Sequence, residues 1–148
     1  MNFTQEMLVP FREIQVKFSR LYARILSQAE LTLPQYALLS LLVLSGECSM
    51  TEVSQKLHIT KPAVTHLVDH LERKCFLKRS AVAGDRRVHR LEVTSKGSRA
   101  VKAIQQKVFQ FLLATLKHFS DSQKKVISDF YRQLAVTLND FLLKEENL

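Results

Sequence analysis

The apolar positions of the first thirty residues recur at helical spacing. Between residues 4 and 29, large apolar side chains stand three or four positions apart, which places them along one side of a helix. Charged residues occupy positions off this stripe. A long amphipathic first helix is therefore predicted. Its apolar stripe is formed by Phe11, Ile14, Phe18, Leu21 and Ile25.

The next segment predicts a buried helix. Thr32 can cap its first turn, and Pro34 fits there because no amide donor is needed at that position. From Tyr36 to Leu44 the residues are apolar almost without interruption, so we expect this helix to be buried on all sides. The break at residues 45–47 predicts its end.

Residues 50–75 predict two short helices joined by a tight turn at His58. Thr60 is placed to cap the second of them. A small residue, Ser54, lies in the first helix, and His tolerates a positive φ at the turn better than most residues. These features are typical of a helix-turn-helix, in which Ala and Gly are the commoner residues at the two positions. The apolar face of the second helix comprises Val64, Leu67, Val68 and Leu71.

A hairpin and two long helices complete the predicted order α-α-α-α-β-β-α-α. Apolar and polar residues alternate along residues 88–94, and residues 76–81 form the matching short strand. The tip between them, residues 82–87, holds two arginines. Beyond Thr94, a capping residue, apolar residues again recur at helical spacing to the C-terminal helix.

The composition agrees with a mainly helical fold that carries a small β wing. Hydrophobic residues make up 46% of the 148-residue chain, whereas Gly and Pro occur three times each. This composition argues against a turn-rich all-β fold and against a disordered chain. The helices at both termini are more apolar than a small central domain could cover, which favours a dimer. Residues 1–30 and 100–148 are therefore predicted as dimerisation helices around a central domain at 32–99.

The net charge of +8 is concentrated in one stretch of the chain. Between Arg73 and Lys102 there are ten basic residues and two acidic ones, so this stretch accounts for the whole surplus. A solubilising surface usually mixes both signs, whereas a basic stretch favours a polyanion such as nucleic acid or an anionic membrane surface.

A helix-turn-helix followed by an Arg-tipped hairpin is a winged helix, which predicts that residues 51–90 read double-stranded DNA. The second helix fits the major groove, where base edges carry distinct donor and acceptor patterns. Its capped first turns should approach the bases through Thr60, Lys61, Pro62, Thr65 and His66. Arg86 or Arg87 at the hairpin tip can enter the narrow minor groove. Phosphates would be neutralised by Arg73, Lys78, Arg79 and Lys96.

The same residues resemble the MarR family of bacterial and archaeal regulators. Residues 51–79 (TEVSQKLHITKPAVTHLVDHLERKCFLKR) are similar to that family's recognition region, and residues 84–97 (GDRRVHRLEVTSKG) to its Asp-Arg-Arg…Leu-x-Thr-x-x-Gly signature. The resemblance implies a homodimeric repressor, built through the terminal helices, on a pseudo-palindromic operator and released by a small molecule. It also implies that Asp85 orients the wing arginines. Cys75 departs from the family, which usually has Gly there to end the recognition helix in a left-handed conformation.

The resemblance further implies an effector pocket between the dimer helices and the winged domain. Relatives bind aromatic acids or lipophilic compounds there. Phe18, Tyr22 and Tyr36 are the candidate lining residues, with Arg20 or Arg24 nearby. Ordinary core packing accounts for these aromatic residues equally well.

Two alternatives to a ligand-released regulator remain open. Cys48 and Cys75 could form a redox switch, since neighbouring cations or a helix start can lower the pKa of a thiol. A winged-helix protein–protein adaptor is the second alternative, although the wing arginines and residues 60–62 speak against it. A metal sensor through His66 and His70, four positions apart on a helix, is disfavoured because their face is the one expected to meet DNA.

No enzyme, cofactor or metal site is predicted. The sequence has no Gly-rich phosphate loop, nucleophile motif or paired-carboxylate constellation. No stretch approaches the roughly 18 uninterrupted apolar residues of a membrane span, and residues 1–10 do not resemble a secretory leader. With two Cys and no CxxC motif, we expect a reducing cytoplasm.

Overall fold

The computed structural model of the chain describes residues 2–82 and 85–145, and the side chains at positions 3, 82, 85–88 and 145 lie outside this description. The order of its elements confirms the expected fold class, mainly α with a small β wing. In chain order the elements are α1 (Phe3–Gln28), α2 (Leu33–Ser45), β1 (Cys48–Ser49), α3 (Met50–Leu57), α4 (Lys61–Arg73), β2 (Leu77–Val82), β3 (Asp85–Val93), α5 (Ser95–Leu116) and α6 (Asp121–Glu145).

The chain divides into two compact units. The first, Met1–Val108, holds α1 to α4, the sheet and the first turns of α5, and the second, Phe109–Leu148, holds the end of α5 and α6. The division falls inside α5, after Val108. Within residues 2–82 and 85–145, no helix combines the length and the hydropathy needed to cross a membrane.

The apolar stripe of α1 is buried only in part. Ile25 is buried and Phe18 half-buried, whereas Phe11 and Ile14 are more than half exposed. Pro10 lies inside the helix, where its ring removes one amide donor from the hydrogen-bond ladder. The N-terminal half of the stripe therefore faces solvent in the described structure.

Helix α2 begins with a reciprocal cap. The Thr32 hydroxyl accepts a hydrogen bond from the Gln35 N–H at 3.4 Å, and the Gln35 side chain accepts one from the Thr32 N–H at 3.0 Å. The expectation that α2 is buried on all sides is wrong. Leu38, Leu39 and Leu42 are fully buried, but Leu44 is 82% exposed, because the helix covers the core with one side only.

The sheet is antiparallel and three-stranded, in the order β1-β3-β2. The sequence does not predict β1, because two residues are too few to show a pattern, yet Cys48 pairs with Leu91 and ties β3 to the start of α3. β2 pairs with β3 along its length, with an irregularity between Ala81 and Val82. The base of the wing is thus joined to the helix-turn-helix by main-chain hydrogen bonds.

One apolar core in the first unit supports the helix-turn-helix. It draws on all five helices of that unit and on the sheet. The predicted apolar face of α4 is confirmed, with Leu67 half-buried and its other three members fully buried. The fully buried side chains include Leu38, Leu39, Leu42, Val53, Val64, Val68, Leu71, Leu77, Leu91, Val101 and Ile104.

The start of α5 packs directly on the residues that connect α4 to β2. A Cβ at Gly97 would lie 2.0 Å from the Phe76 carbonyl oxygen, so only glycine fits there. The Thr94 hydroxyl donates to the Cys75 carbonyl at 2.7 Å and accepts from the Gly97 N–H at 3.1 Å. We call Cys75–Phe76 together with Thr94–Gly97 the foot of the wing.

Candidate nucleic-acid interface

The exposed face of α4 carries the residues expected to read bases. The helix starts after Thr60, whose hydroxyl accepts a hydrogen bond from the Ala63 N–H at 3.3 Å, so the predicted cap is confirmed. The opposite face is packed in the core, which holds the exposed face in a fixed orientation. Exposed on the first two turns are Lys61, Pro62, Thr65 and His66.

The turn between α3 and α4 is closed by a side chain. The Ser54 hydroxyl donates to the Ile59 carbonyl at 2.6 Å. His58 adopts the left-handed conformation, with φ 52° and ψ 43°, as the sequence allowed. A serine in place of the usual alanine therefore supplies a hydrogen bond that fixes the helix-turn-helix angle.

His66 and His70 lie against one another on α4. Their ring centroids are 4.6 Å apart in an edge-on arrangement. The pKa of His70 is lowered, mainly by desolvation and further by Arg73 and His66, which favours the neutral ring at physiological pH. Within the described residues, no group of three or more His, Cys, Asp and Glu side chains could hold a metal ion.

Arg79 of β2 is engaged by the carboxylates of α4. Its Nη1 donates to Glu72 Oε2 at 2.7 Å, and its Nη2 donates to the carboxylate of Asp69. The hydrogen bond from Arg79 lowers the pKa of Asp69. Two carboxylates thus bind the Arg79 guanidinium in the described structure, and the phosphate contact expected of Arg79 stays a prediction.

Other cations of the basic stretch are also engaged within the chain. Lys78 forms an ion pair with Glu92 at 2.8 Å, which raises the pKa of Lys78. Lys96 Nζ donates to the Lys74 carbonyl at 2.8 Å and lies 4.7 Å from the centre of the Phe76 ring. Both contacts leave exposed ammonium groups, so they do not prevent a further approach to a polyanion.

The wing is longer than predicted. Strand β3 begins at Asp85, so the backbones of Arg86 and Arg87 belong to the strand and not to the turn. The side chains of these three residues lie outside the described part of the chain, and so does Gly84. Arg73, at the end of α4, is exposed and donates through Nε to the Asp69 carbonyl at 3.2 Å.

Sequence reasoning missed two structural features of this region. The Ser49 cap of α3, in which Ser49 N–H donates to Glu52 Oε2 at 2.6 Å, could have been predicted from the Ser-x-x-Glu spacing. This hydrogen bond lowers the pKa of Glu52. No sequence pattern predicts the hydrogen bonds between Arg79 and α4, because they join a helix to the strand that follows it.

An apolar cavity of about 550 Å³ lies between α1 and α2. Phe18, Tyr22 and Tyr36, the three predicted residues, all line it, whereas Arg20 and Arg24 do not. Burial and a hydrogen bond with Tyr36 raise the pKa of Tyr22 to about 12. The volume suits a small organic molecule, and apart from Ser19 the remaining lining is apolar. The other lining residues are Ser19, Ala23, Leu26, Leu33 and Ala37.

The two thiols occupy different environments. Cys48 lies in β1 and is 2% exposed, whereas Cys75 is exposed and holds a left-handed backbone with φ 60°. Neither is in a disulfide. The strained position expected for Cys75 is thus observed, and the burial of Cys48 argues against its reaction with oxidants.

Comparison with known proteins points to one family. The profile of the MarR family matches residues 31–89, from the connection between α1 and α2 into β3. The transcriptional repressor YetL of Bacillus subtilis (strain 168) is 28% identical over 92 residues, which cover 60% of this chain and 55% of YetL. The chain thus spans about half the length of this relative.

Solved structures agree over nearly the whole chain. A MarR family protein from Bacillus stearothermophilus superposes with a TM-score of 0.78 at 27% identity, covering 94% of this chain and 99% of that one. The MepR protein of S. aureus, solved as a DNA complex, gives a TM-score of 0.70 at 22% identity, covering 86% and 96%. The second likeness concerns the fold alone.

Proposed function

We propose that the chain is a member of the MarR family of winged-helix transcriptional regulators and binds double-stranded DNA sequence-specifically as a homodimer. The observation that carries this proposal is the face of α4. A helix packed in the core presents Lys61, Thr65 and His66 outward from a capped first turn. Such a helix fits the major groove and can reach base edges with its N-terminal residues.

The wing supplies the second contact in this proposal. Arg86 and Arg87 follow Asp85 at the start of β3, and we assign one of these arginines to the minor groove. Asp85 would orient it. Arg73, Lys78 and Lys96 remain candidates for phosphate contacts, since each ammonium or guanidinium is on an exposed residue. We leave Arg79 out of the proposed phosphate contacts because Asp69 and Glu72 bind its guanidinium.

The apolar surface that each unit exposes supports the proposed homodimer. In the second unit, Phe130, Leu134, Leu138 and Phe141 recur at helical spacing along α6 and are all exposed. In the first unit, the N-terminal half of the α1 stripe is exposed as well. A second copy would cover such surface and place two α4 helices on half-sites roughly 34–36 Å apart.

We further propose that the protein is a repressor that a lipophilic effector releases from DNA. YetL, which is 28% identical to this chain over 92 residues, is named a transcriptional repressor. The cavity between α1 and α2 offers apolar walls and the Tyr22–Tyr36 hydroxyl pair but no cationic side chain. It therefore favours an uncharged ligand with one hydrogen-bonding group over an aromatic acid.

The test starts from duplexes selected by the wild-type protein from a random-sequence pool. Lys61→Met and Arg87→Ala should each weaken binding to the selected duplex by about 1–3 kcal/mol, because each removes a contact to a base or phosphate. Affinity measured at several salt concentrations should fall steeply with salt. Lys17→Met, an exposed change on α1, serves as the control with the same loss of charge.

If the Lys61 and Arg87 variants bind the selected duplex as tightly as Lys17→Met does, the assignment of α4 and the wing to the DNA interface is wrong. Recovery of no preferred sequence by a folded wild-type protein would instead favour the protein–protein adaptor.

A further inference from the structure

A cluster of three side chains joins α4 to the wing. The Arg79 clamp comprises Asp69 and Glu72 of α4 and Arg79 of β2. Besides its two side-chain bonds, Arg79 donates its backbone N–H to Glu72 Oε1 at 3.2 Å. The Arg79 side chain is 27% exposed, which makes it less accessible than either carboxylate. Three hydrogen bonds therefore fasten one strand residue to the last two turns of the helix.

The clamp bears on the DNA-reading face. Asp69 follows Thr65 by one helical turn and is exposed on the same side of α4. A carboxylate there would repel phosphates, and the ion pair between Asp69 and Arg79 reduces that repulsion. One guanidinium faces two carboxylates, so the three side chains together carry no surplus of positive charge with which to displace counter-ions from DNA.

We propose that Arg79 is a positioning residue that sets the angle between the wing and α4, so that both enter DNA as one unit. The inference rests on the proposed function of the winged helix. Arg79 pairs with Leu91 of β3, the strand that also carries Arg86 and Arg87. Holding Arg79 against α4 thus holds the strand from which the minor-groove contact would be made.

The neighbouring residue Lys78 forms an ion pair that does not connect the wing to α4. Lys78 is 59% exposed and pairs with Glu92 directly across the hairpin. That pair joins two strands of the wing and does not reach α4. Lys78→Met is therefore a matched control for the hydrogen-exchange measurement in the free protein, because it removes a cation and an ion pair from β2 but leaves the clamp in place.

The most informative variant is Glu72→Gln, because a phosphate contact and the clamp predict opposite changes in DNA affinity. If Arg79 were a phosphate contact, loss of a nearby negative charge would free it and tighten binding. The clamp predicts weaker binding, by roughly tenfold. Arg79→Lys separates the explanations again, since Lys can contact phosphate but has no second nitrogen with which to bind Asp69 and Glu72 separately. The clamp predicts that Arg79→Lys also weakens binding.

The salt dependence gives a further test. A lost phosphate contact lowers the slope of log K against log salt by about 0.9. The clamp predicts an unchanged slope for the double variant Glu72→Gln/Arg79→Met, whose net charge equals that of the wild type. Hydroxyl-radical footprints should lose protection where the wing lies, while guanine N7 in the major groove stays protected. A mere loss of stability would weaken both protections together.

One measurement needs no DNA. Amide hydrogen exchange in the free protein should accelerate at Arg79 in Glu72→Gln and remain unchanged there in Lys78→Met. Tighter or unchanged operator binding by Glu72→Gln, or unaltered exchange at Arg79, would overturn the proposal. If the wild type binds no specific DNA but exchange changes as expected, the proposed function fails and the mechanical link between α4 and β2 stands.

Discussion

Three residues other than glycine hold a left-handed backbone in the described chain, each just after a helix. They are Glu30 with φ 54°, His58 with φ 52° and Cys75 with φ 60°. A side chain in this conformation costs about 1–2 kcal/mol relative to the right-handed region. At Cys75 the sequence itself indicates the strain, because a helix end of this kind normally uses glycine.

Replacing Cys75 by glycine should stabilise the protein. The thiol is exposed, so its removal sacrifices little packing, and the gain from relieving the backbone exceeds the entropic cost of glycine. We expect Cys75→Gly to raise the free energy of unfolding by about 1 kcal/mol. Denaturant titration at matched protein concentration would measure this.

Cys75→Ala is the control, since it removes the thiol but keeps the Cβ. Equal stability of the alanine and glycine variants would contradict the assignment of strain to Cys75.

The hydroxyl of Tyr22 should ionise later than that of an exposed tyrosine. Its pKa is raised to about 12 by burial and by the hydrogen bond with Tyr36. Because the folded pKa lies above the unfolded value, the stabilisation is complete below about pH 10 and is lost as pH rises towards 12. Absorbance near 295 nm should show a late-titrating component that Tyr22→Phe removes. Its persistence in that variant would exclude Tyr22 as the source.

At the scale of elements, local patterns were predictable and pairings between distant residues were not. The caps at Thr32 and Thr60 follow from a hydroxyl placed just before an apolar run, and the turn at His58 from its place between two helices. β1 exists because Cys48 meets Leu91, more than forty positions away. The Arg79 clamp depends likewise on how β2 leaves α4. Such contacts are set by the packed fold, which periodicity alone does not encode.

The docking of α5 on the wing should depend on Gly97. In an open helix, alanine would stabilise relative to glycine by about 1 kcal/mol, yet here its Cβ would collide with the Phe76 carbonyl. We expect Gly97→Ala to lower the free energy of unfolding by about 3 kcal/mol. Thermal or denaturant unfolding would measure the loss.

Gly46→Ala is the matched comparison. A Cβ at Gly46 meets nothing within 4 Å, so only the backbone conformation, with φ 73° and ψ −148°, opposes the change. Few residues other than glycine adopt this conformation, so that variant should lose about 1–3 kcal/mol through backbone strain alone. Unchanged stability of Gly97→Ala would contradict the steric account of Gly97.

The whole molecule combines a basic stretch with large exposed apolar areas. The surplus of positive charge lies between residues 73 and 102, whereas the apolar areas lie on α1 and on the helices of the second unit. Composition predicted both properties. It did not predict that Arg79 is neutralised internally, so the part of the basic stretch available to DNA is smaller than the residue count suggests.

A charge on the apolar stripe of α6 should prevent self-association. Leu138 is 55% exposed, and we expect Leu138→Glu to raise the dimer dissociation constant by a hundredfold or more, because a carboxylate would be buried without a partner. Analytical ultracentrifugation at micromolar concentration should show twice the chain mass for wild type and a single chain for the variant.

Ser128→Glu adds the same charge to α6 away from this stripe and should remain dimeric. A monomeric wild type would contradict the proposed homodimer.

The foot of the wing makes the hairpin a lever. Gly97 and Thr94 bind α5 to Cys75 and Phe76 without slack, so the first turn of α5 and the foot must rotate together. The nine residues of β3 span about 30 Å at about 3.3 Å per residue. A rotation of about 5° at the foot would then move the far end of the strand by roughly 2.6 Å over that length. In the proposed complex with DNA, a displacement of that size would separate a donor from its acceptor, so a small turn of α5 would be enough to lift a wing arginine out of the minor groove.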